Sequence, residues 1–116
     1  MMNIEDIRTY CLSLPGTTEE IKWGNDLCFS IGGKMYCVTG LTGPLTLSFK
    51  VNKEDFHEVS RSDGFTPAPY VARYQWILLE KPQKVSRKDL QAYIKQSYEL
   101  IKSKLSKKAL KQYGLN

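Results

Sequence analysis

The side chains in this sequence with chemistry to offer are its thiols, one histidine, several paired carboxylates, and cations set among aromatics. The three cysteines are Cys11, Cys28 and Cys37, and the single histidine is His57. No two cysteines have Cys-x-x-Cys spacing, and this set does not assemble a standard four-ligand zinc site. They read as small reduced core residues, as free cysteines usually are, and neither metal nor cofactor is expected. His57 stands beside Glu54 and Glu58 on an expected surface helix. Nucleophilic catalysis needs a Ser or Cys, a base and a group that orients the base, and no such arrangement is visible. Glu5-Asp6, Glu19-Glu20 and Glu54-Asp55 each fall at or near an expected helix start, where negative charge complements the dipole. Gly32-Gly33-Lys34 lacks the spacing of a phosphate-binding loop and joins strand to strand. The expectation is a protein that binds without catalysing.

The cations are the remaining candidates. The formal net charge is +5, unevenly spread: counting Lys and Arg against Asp and Glu, residues 1–79 carry 7 against 9 and residues 80–116 carry 10 against 3. Such asymmetry permits contact with a polyanion, although a solvated lysine-rich helix face is its commoner cause. Lys88, Lys95 and Lys102 recur every seven residues with Glu99 between two of them, a solvating stripe. Lys104, Lys107, Lys108 and Lys111 crowd the end of the last helix and the tail, where they complement the helix C-terminus and form a positive patch. Lys22, Trp23, Lys34, Tyr70, Arg73 and Tyr74 interleave cation and aromatic in loops and hairpin edges. That mixture serves phosphate and base contact; the same aromatics also serve as half-buried covers for a sheet edge.

The elements that must position these residues follow from periodicity and turn chemistry. Ile4, Ile7, Cys11 and Leu14 share one helical face behind an Asn3 N-cap, and Leu14-Pro15-Gly16 ends that helix. Leu27–Ile31 and Lys34–Val38 flank Gly32-Gly33 as a hairpin. A two-residue loop sets Ile31 opposite Lys34, Phe29 opposite Tyr36 and Cys28 opposite Cys37, with Leu27, Phe29, Ile31, Tyr36 and Val38 on one apolar face. Leu45 to Val51 alternates as a half-buried strand, and Asn52 with Asp55 predicts a capping box opening a short helix that ends near Asp63-Gly64. Thr66 to Tyr70 is an extended loop, and Tyr74 to Glu80 a central strand. Ser86 and Asp89 open a long helix with Leu90, Ile94, Ser97, Tyr98, Ile101 and Leu105 on one stripe. Four or five antiparallel strands with helices at both ends predict a two-layer α+β sandwich, one sheet face covered by the N- and C-terminal helices.

The 116 residues, 41% hydrophobic and 25% charged, read as a single domain spanning 1–116. The start lacks the basic leader and apolar stretch of a signal peptide, and no apolar run nears the roughly 20 residues of a membrane span. A cytoplasmic monomer or weak dimer, without membrane contact, is expected.

Leu14-Pro-Gly-Thr17, Lys22-Trp-Gly-Asn25, Phe29-Ser-Ile-Gly-Gly-Lys-Met-Tyr36, Leu47-Ser-Phe-Lys50, Pro67-Ala-Pro-Tyr70-x-Ala-Arg73-x-x-Trp76 and Ser97-Tyr-Glu-Leu100 together resemble the MmcQ/YjbR family of small bacterial proteins. The resemblance spans nearly the whole chain. It implies a frataxin-like (CyaY-like) fold and the double-wing DNA-binding label of that family. Where many relatives carry Asn-Lys followed by His-Trp, this chain has Ala72-Arg73 followed by Gln75-Trp76, keeping the cation and the tryptophan.

Two functional expectations result. In the first the chain is a DNA-binding or DNA-associated regulatory domain, with Lys22, Lys34, Arg73, Lys107, Lys108 and Lys111 on phosphates and Trp23 and Tyr70 in the groove. In the second it is a protein-interaction or small-ligand module without nucleic acid, using the Pro67–Trp76 loop and the uncovered sheet face. An exposed apolar patch containing Trp23, Tyr70 or Met35 would favour the second.

Overall fold

The computed structural model describes residues 2–115. Helix α1, Ile4–Ser13, starts as the sequence predicts: the Asn3 side chain accepts from the Asp6 N–H (2.8 Å) and the Asp6 carboxylate accepts from the Asn3 N–H (3.1 Å). Its Ile7 and Cys11 turn inward. Six antiparallel strands follow, β1 (Thr17–Lys22), β2 (Asp26–Ile31), β3 (Lys34–Gly40), β4 (Leu47–Lys50), β5 (Phe65–Pro67) and β6 (Trp76–Leu79), in the sheet order β1-β2-β3-β4-β6-β5. Helix α2 (Lys53–Ser60) links β4 to β5, and α3 (Arg87–Lys102) and α4 (Lys107–Gln112) close the chain.

Strand β1 corrects the expectation that Glu19-Glu20 sits near a helix start. Its sequence, Thr-Thr-Glu-Glu-Ile-Lys, lacks apolar alternation because it is a sheet edge, where charge is the usual protection against unwanted pairing. Arg8 of α1 grips Glu19 through two nitrogens at 2.7–3.1 Å, holding the edge to the helix layer and drawing the Glu19 carboxyl below its ordinary range. The short β5 occupies part of the segment expected as loop.

The β2–β3 hairpin turns at Gly32-Gly33 as predicted, but its register holds only for Ile31 opposite Lys34 and Ser30 opposite Met35. A bulge then inserts Tyr36, so Phe29 lies opposite Cys37 and Cys28 opposite Val38. The reason is the demand for core. Tyr36 and Cys37 are both fully buried, which regular alternation forbids and a bulge permits. Tyr36 packs edge-on against Tyr98 of α3 (5.3 Å, 83°), and its hydroxyl donates to the Cys11 carbonyl. Val38 thereby moves to the opposite face. The thiol neighbours are Cys37 and Cys11, not Cys37 and Cys28. The neighbouring Cys11 thiol, together with burial, pushes the Cys37 thiol well above its ordinary range.

At α2, Asn52 is the N-cap, yet its side chain makes no capping hydrogen bond, and the helix ends at Ser60, earlier than predicted. At α3 the Ser86 hydroxyl accepts from the Asp89 N–H (3.1 Å), and Leu90, Ile94, Ser97, Tyr98 and Ile101 are buried as the stripe predicts. The chain then breaks and restarts at α4 with Ser106 as N-cap. Lys107 and Lys108 therefore occupy the positive end of a new helix dipole, not the negative end of α3, so the electrostatic benefit expected for them falls to Lys102 and Lys111.

Helices α1 and α3 share one core with the inner face of the sheet, where Phe29, Ile31, Leu47, Phe49, Ile77 and Leu79 are fully buried. The arrangement is the two-layer α+β sandwich predicted. Among the described residues, no helix is long and apolar enough to cross a membrane.

Candidate ligand site on the open sheet face

The face of the sheet away from the helices begins with a row of register partners: Cys28, Val38, Ser48 and Leu78, one from each of β2, β3, β4 and β6. Lys50 and Trp76 are partners one pair further on. The segment from Ala68 to Gln75 folds back over this face. It is tied down by Ala68 N–H to the Trp76 carbonyl (3.0 Å), Val51 N–H to the Gln75 carbonyl (2.9 Å) and the Lys50 ammonium to the Tyr74 carbonyl. Between it and the sheet lies a pocket of about 460 Å³ lined by Trp23, Asp26, Met35, Val38, Ser48, Ala68, Pro69, Tyr70, Val71 and Trp76. This size suits a small organic ligand.

Its aromatic walls come from three places. Trp76 forms part of the floor and is 9% exposed. Trp23, in the β1–β2 turn, is 69% exposed, and Tyr70, at the crest of the returning loop, is 97% exposed. Trp23 (φ 53°), Tyr70 (φ 69°) and Gln75 (φ 65°) are the non-glycine residues with positive φ among those described. Two of them line the pocket and the third directly precedes Trp76. Such conformations cost on the order of 1–3 kcal/mol each and tend to collect where a protein positions groups for binding.

Asp26 supplies the charge. It is half-buried, and its carboxylate has neither ion pair nor hydrogen bond among the described residues. Its cross-strand partner Lys22 reaches Glu20 instead, at 3.5 Å. Cys28, fully buried in the same face, has its thiol pushed up by burial, opposed by Lys22 and assisted by Asp26 and Glu20. A thiol held protonated is a poor nucleophile.

The residues singled out in the sequence divide between two ends of the sheet. Trp23 and Tyr70 meet in the pocket, Lys22 stands at its rim opposite Asp26, and Arg73 lies on the returning loop with its guanidinium 4.9 Å from the centre of the Tyr74 ring. Lys34 is at the far end, by the β2–β3 turn. There a Cβ on Gly32 would come within 2.6 Å of Leu105 and one on Gly33 within 3.6 Å of the Tyr113 hydroxyl, so the turn rests on the C-terminal segment that carries Lys107, Lys108 and Lys111. Lys50, its pKa lowered by burial and then by Lys104, stands between the two: it pairs with Trp76 and its ammonium holds the Tyr74 carbonyl of the loop over the pocket. Folding thus brings Lys34 near the terminal lysines but leaves Lys22 and Trp23 apart from them. Asp26, Val38, Ser48 and Val71 were not singled out. Val38 was assigned to the inner face, and only the bulge moves it. Asp26 carries no local pattern that separates it from the other acids.

An α+β sandwich that leaves one sheet face without α-helices, with a returning loop enclosing an aromatic pocket there, is the class these features define. The chain belongs to the YjbR family, whose model matches residues 12–100. All the pocket residues lie inside that span, and Lys104, Lys107, Lys108 and Lys111 lie beyond it. The crystal structure of Deinococcus radiodurans protein DR2400, with family-model domain DUF419, superposes with a TM-score of 0.88 at 27% identity, covering 100% of this chain and 91% of its own. A Pseudomonas syringae protein superposes at 0.72 with 19% identity over 86% of this chain and 99% of its own, and shares the fold. No curated protein matches the chain.

Proposed function

We propose that this protein is a non-catalytic ligand-binding module whose working site is the aromatic pocket on the helix-free sheet face. One observation carries this reading: the left-handed non-glycine residues gather around the cavity whose walls Trp23 and Tyr70 form. The tight β1–β2 turn itself calls for a left-handed residue at position 23, and glycine would meet such a need at less cost; the cavity accounts for large, exposed aromatics standing there and at position 70 instead. The raised thiols of Cys28 and Cys37 favour binding over thiol chemistry. The three unpaired cysteines accord with a reducing, cytoplasmic setting, where the chain acts as a monomer or weak dimer.

The test uses the two tryptophans, Trp23 and Trp76, whose indole N–H signals report on the pocket by NMR. Fragments that bind should shift both signals, and Trp23→Ala with Tyr70→Ala should abolish binding while leaving the rest of the spectrum in place. Binders that consistently shift other residues and spare both indoles would refute the reading.

A second reading, duplex DNA binding, is favoured by a separate observation: Lys34 and the lysines of α4 share one end of the molecule, and no carboxylate pairs with them among the described residues. Contacts there would be to phosphates, carrying affinity without sequence preference.

A further inference from the structure

Resting on the pocket reading above, we infer that the ligand is a free small organic cation bearing an alkylated ammonium group. The walls point to this chemistry first. Trp23, Tyr70 and Trp76 line one cavity, and no ring of the three is stacked on another aromatic among the described residues. Aromatic faces carry the negative lobe of the ring quadrupole, and several around one cavity attract a cation.

The charge of the lining agrees. Asp26 is its one charged residue, and neither Lys nor Arg reaches it. The nearest cations are engaged elsewhere, Lys22 with Glu20, Lys50 with the Tyr74 carbonyl and Arg73 over the Tyr74 ring. A half-buried carboxylate without a partner repels phosphates and carboxylates and is complementary to a positive head group.

The remaining lining selects among cations. Met35, Val38 and Val71 offer apolar contact and few hydrogen-bond acceptors. A bare ammonium or a metal ion is strongly hydrated and would lose its water there without replacement, whereas N-alkyl groups give up little hydration and pack on rings and aliphatic chains.

Titration of the full chain with choline, its uncharged carbon isostere 3,3-dimethylbutan-1-ol, and pivalate, followed through both indole signals, tests the inference. Choline should bind at least about ten-fold more tightly than the isostere, and pivalate should not bind. Asp26→Asn should weaken choline about ten-fold and leave the isostere unchanged. If Asp26→Asn does not fold, Trp23→Leu, which removes the ring and keeps an apolar side chain, should narrow the preference for choline over the isostere, read at the Trp76 indole. Equal binding of choline and isostere would overturn the cation while the pocket reading survives. Failure of all three probes, with neutral aromatic fragments still shifting the indoles, would have the same meaning. Failure of every probe and fragment to move either indole would sink both. A trimethyllysine peptide bound at least ten-fold more tightly than choline would overturn the assignment to a free small molecule.

Discussion

Tyr70 pays for its position in a way its packing does not return. It is almost wholly exposed, so its ring buries little apolar surface, yet its backbone sits at φ 69°, where a side chain costs on the order of 1–2 kcal/mol. Glycine adopts that conformation without the clash. Tyr70→Gly should therefore raise unfolding stability by about 1 kcal/mol in urea titration while weakening binding in the pocket. A clear loss of stability would mean that the ring holds the loop for structural reasons. Trp23 and Tyr70 were legible as candidates because large aromatics in turn-rich segments are conspicuous. Asp26 was not, since its distinction is the absence of a partner, and partners are assigned by folding.

Among the elements, α3 does more than cover the sheet. The Ser97 hydroxyl, fully buried, donates to the Tyr36 carbonyl (2.5 Å) and accepts from the Lys50 N–H (2.9 Å). It thus bridges β3 and β4 just past their last pair, Cys37 and Phe49, beside the bulge in the β2–β3 ladder. Ser97→Ala leaves a buried donor and a buried acceptor without partners and should destabilise by about 2–4 kcal/mol, read as a lower urea midpoint with unchanged slope. Ser103→Ala, at an exposed hydroxyl that donates to the Leu100 carbonyl, should cost no more than about 0.5 kcal/mol. Sequence periodicity placed Ser97 on the inward stripe but gave it no task. The bulge it serves arises because two consecutive residues, Tyr36 and Cys37, both seek the core, and alternation rules assume that one of them does not.

At the scale of the molecule, charge and aromaticity separate. The pocket and its carboxylate lie on the helix-free face, while Lys34 and the terminal lysines gather where the β2–β3 turn meets the C-terminal segment. If duplex DNA binds, it should bind at the lysine end. Each phosphate neutralised contributes about −0.9 to the slope of log affinity against log salt, so Lys34, Lys107, Lys108 and Lys111 together would give about −3.6. Replacing those four with Gln should abolish that salt dependence, whereas Lys22→Gln and Trp23→Ala should leave it unchanged. No binding at low salt, or a slope indifferent to the four substitutions, would remove the DNA reading and leave the pocket untouched.

Local physics was sufficient for the layered α+β architecture, the Asn3 and Ser86 caps, the Gly32-Gly33 turn and the inward stripe of α3, because caps, turns and periodicity are decided within a few residues. Edge strand β1, the bulge at Tyr36 and the break before α4 were decided by tertiary structure. A charged edge strand is specified by the ladder it joins, a bulge by competition for core volume, and the end of a helix by the surface it has left to cover. The pocket is the furthest removed from the sequence. Its walls come from the β1–β2 turn, the four central strands β2, β3, β4 and β6, and a returning loop, and their residues converge only when the sheet has formed and the loop is tied across it.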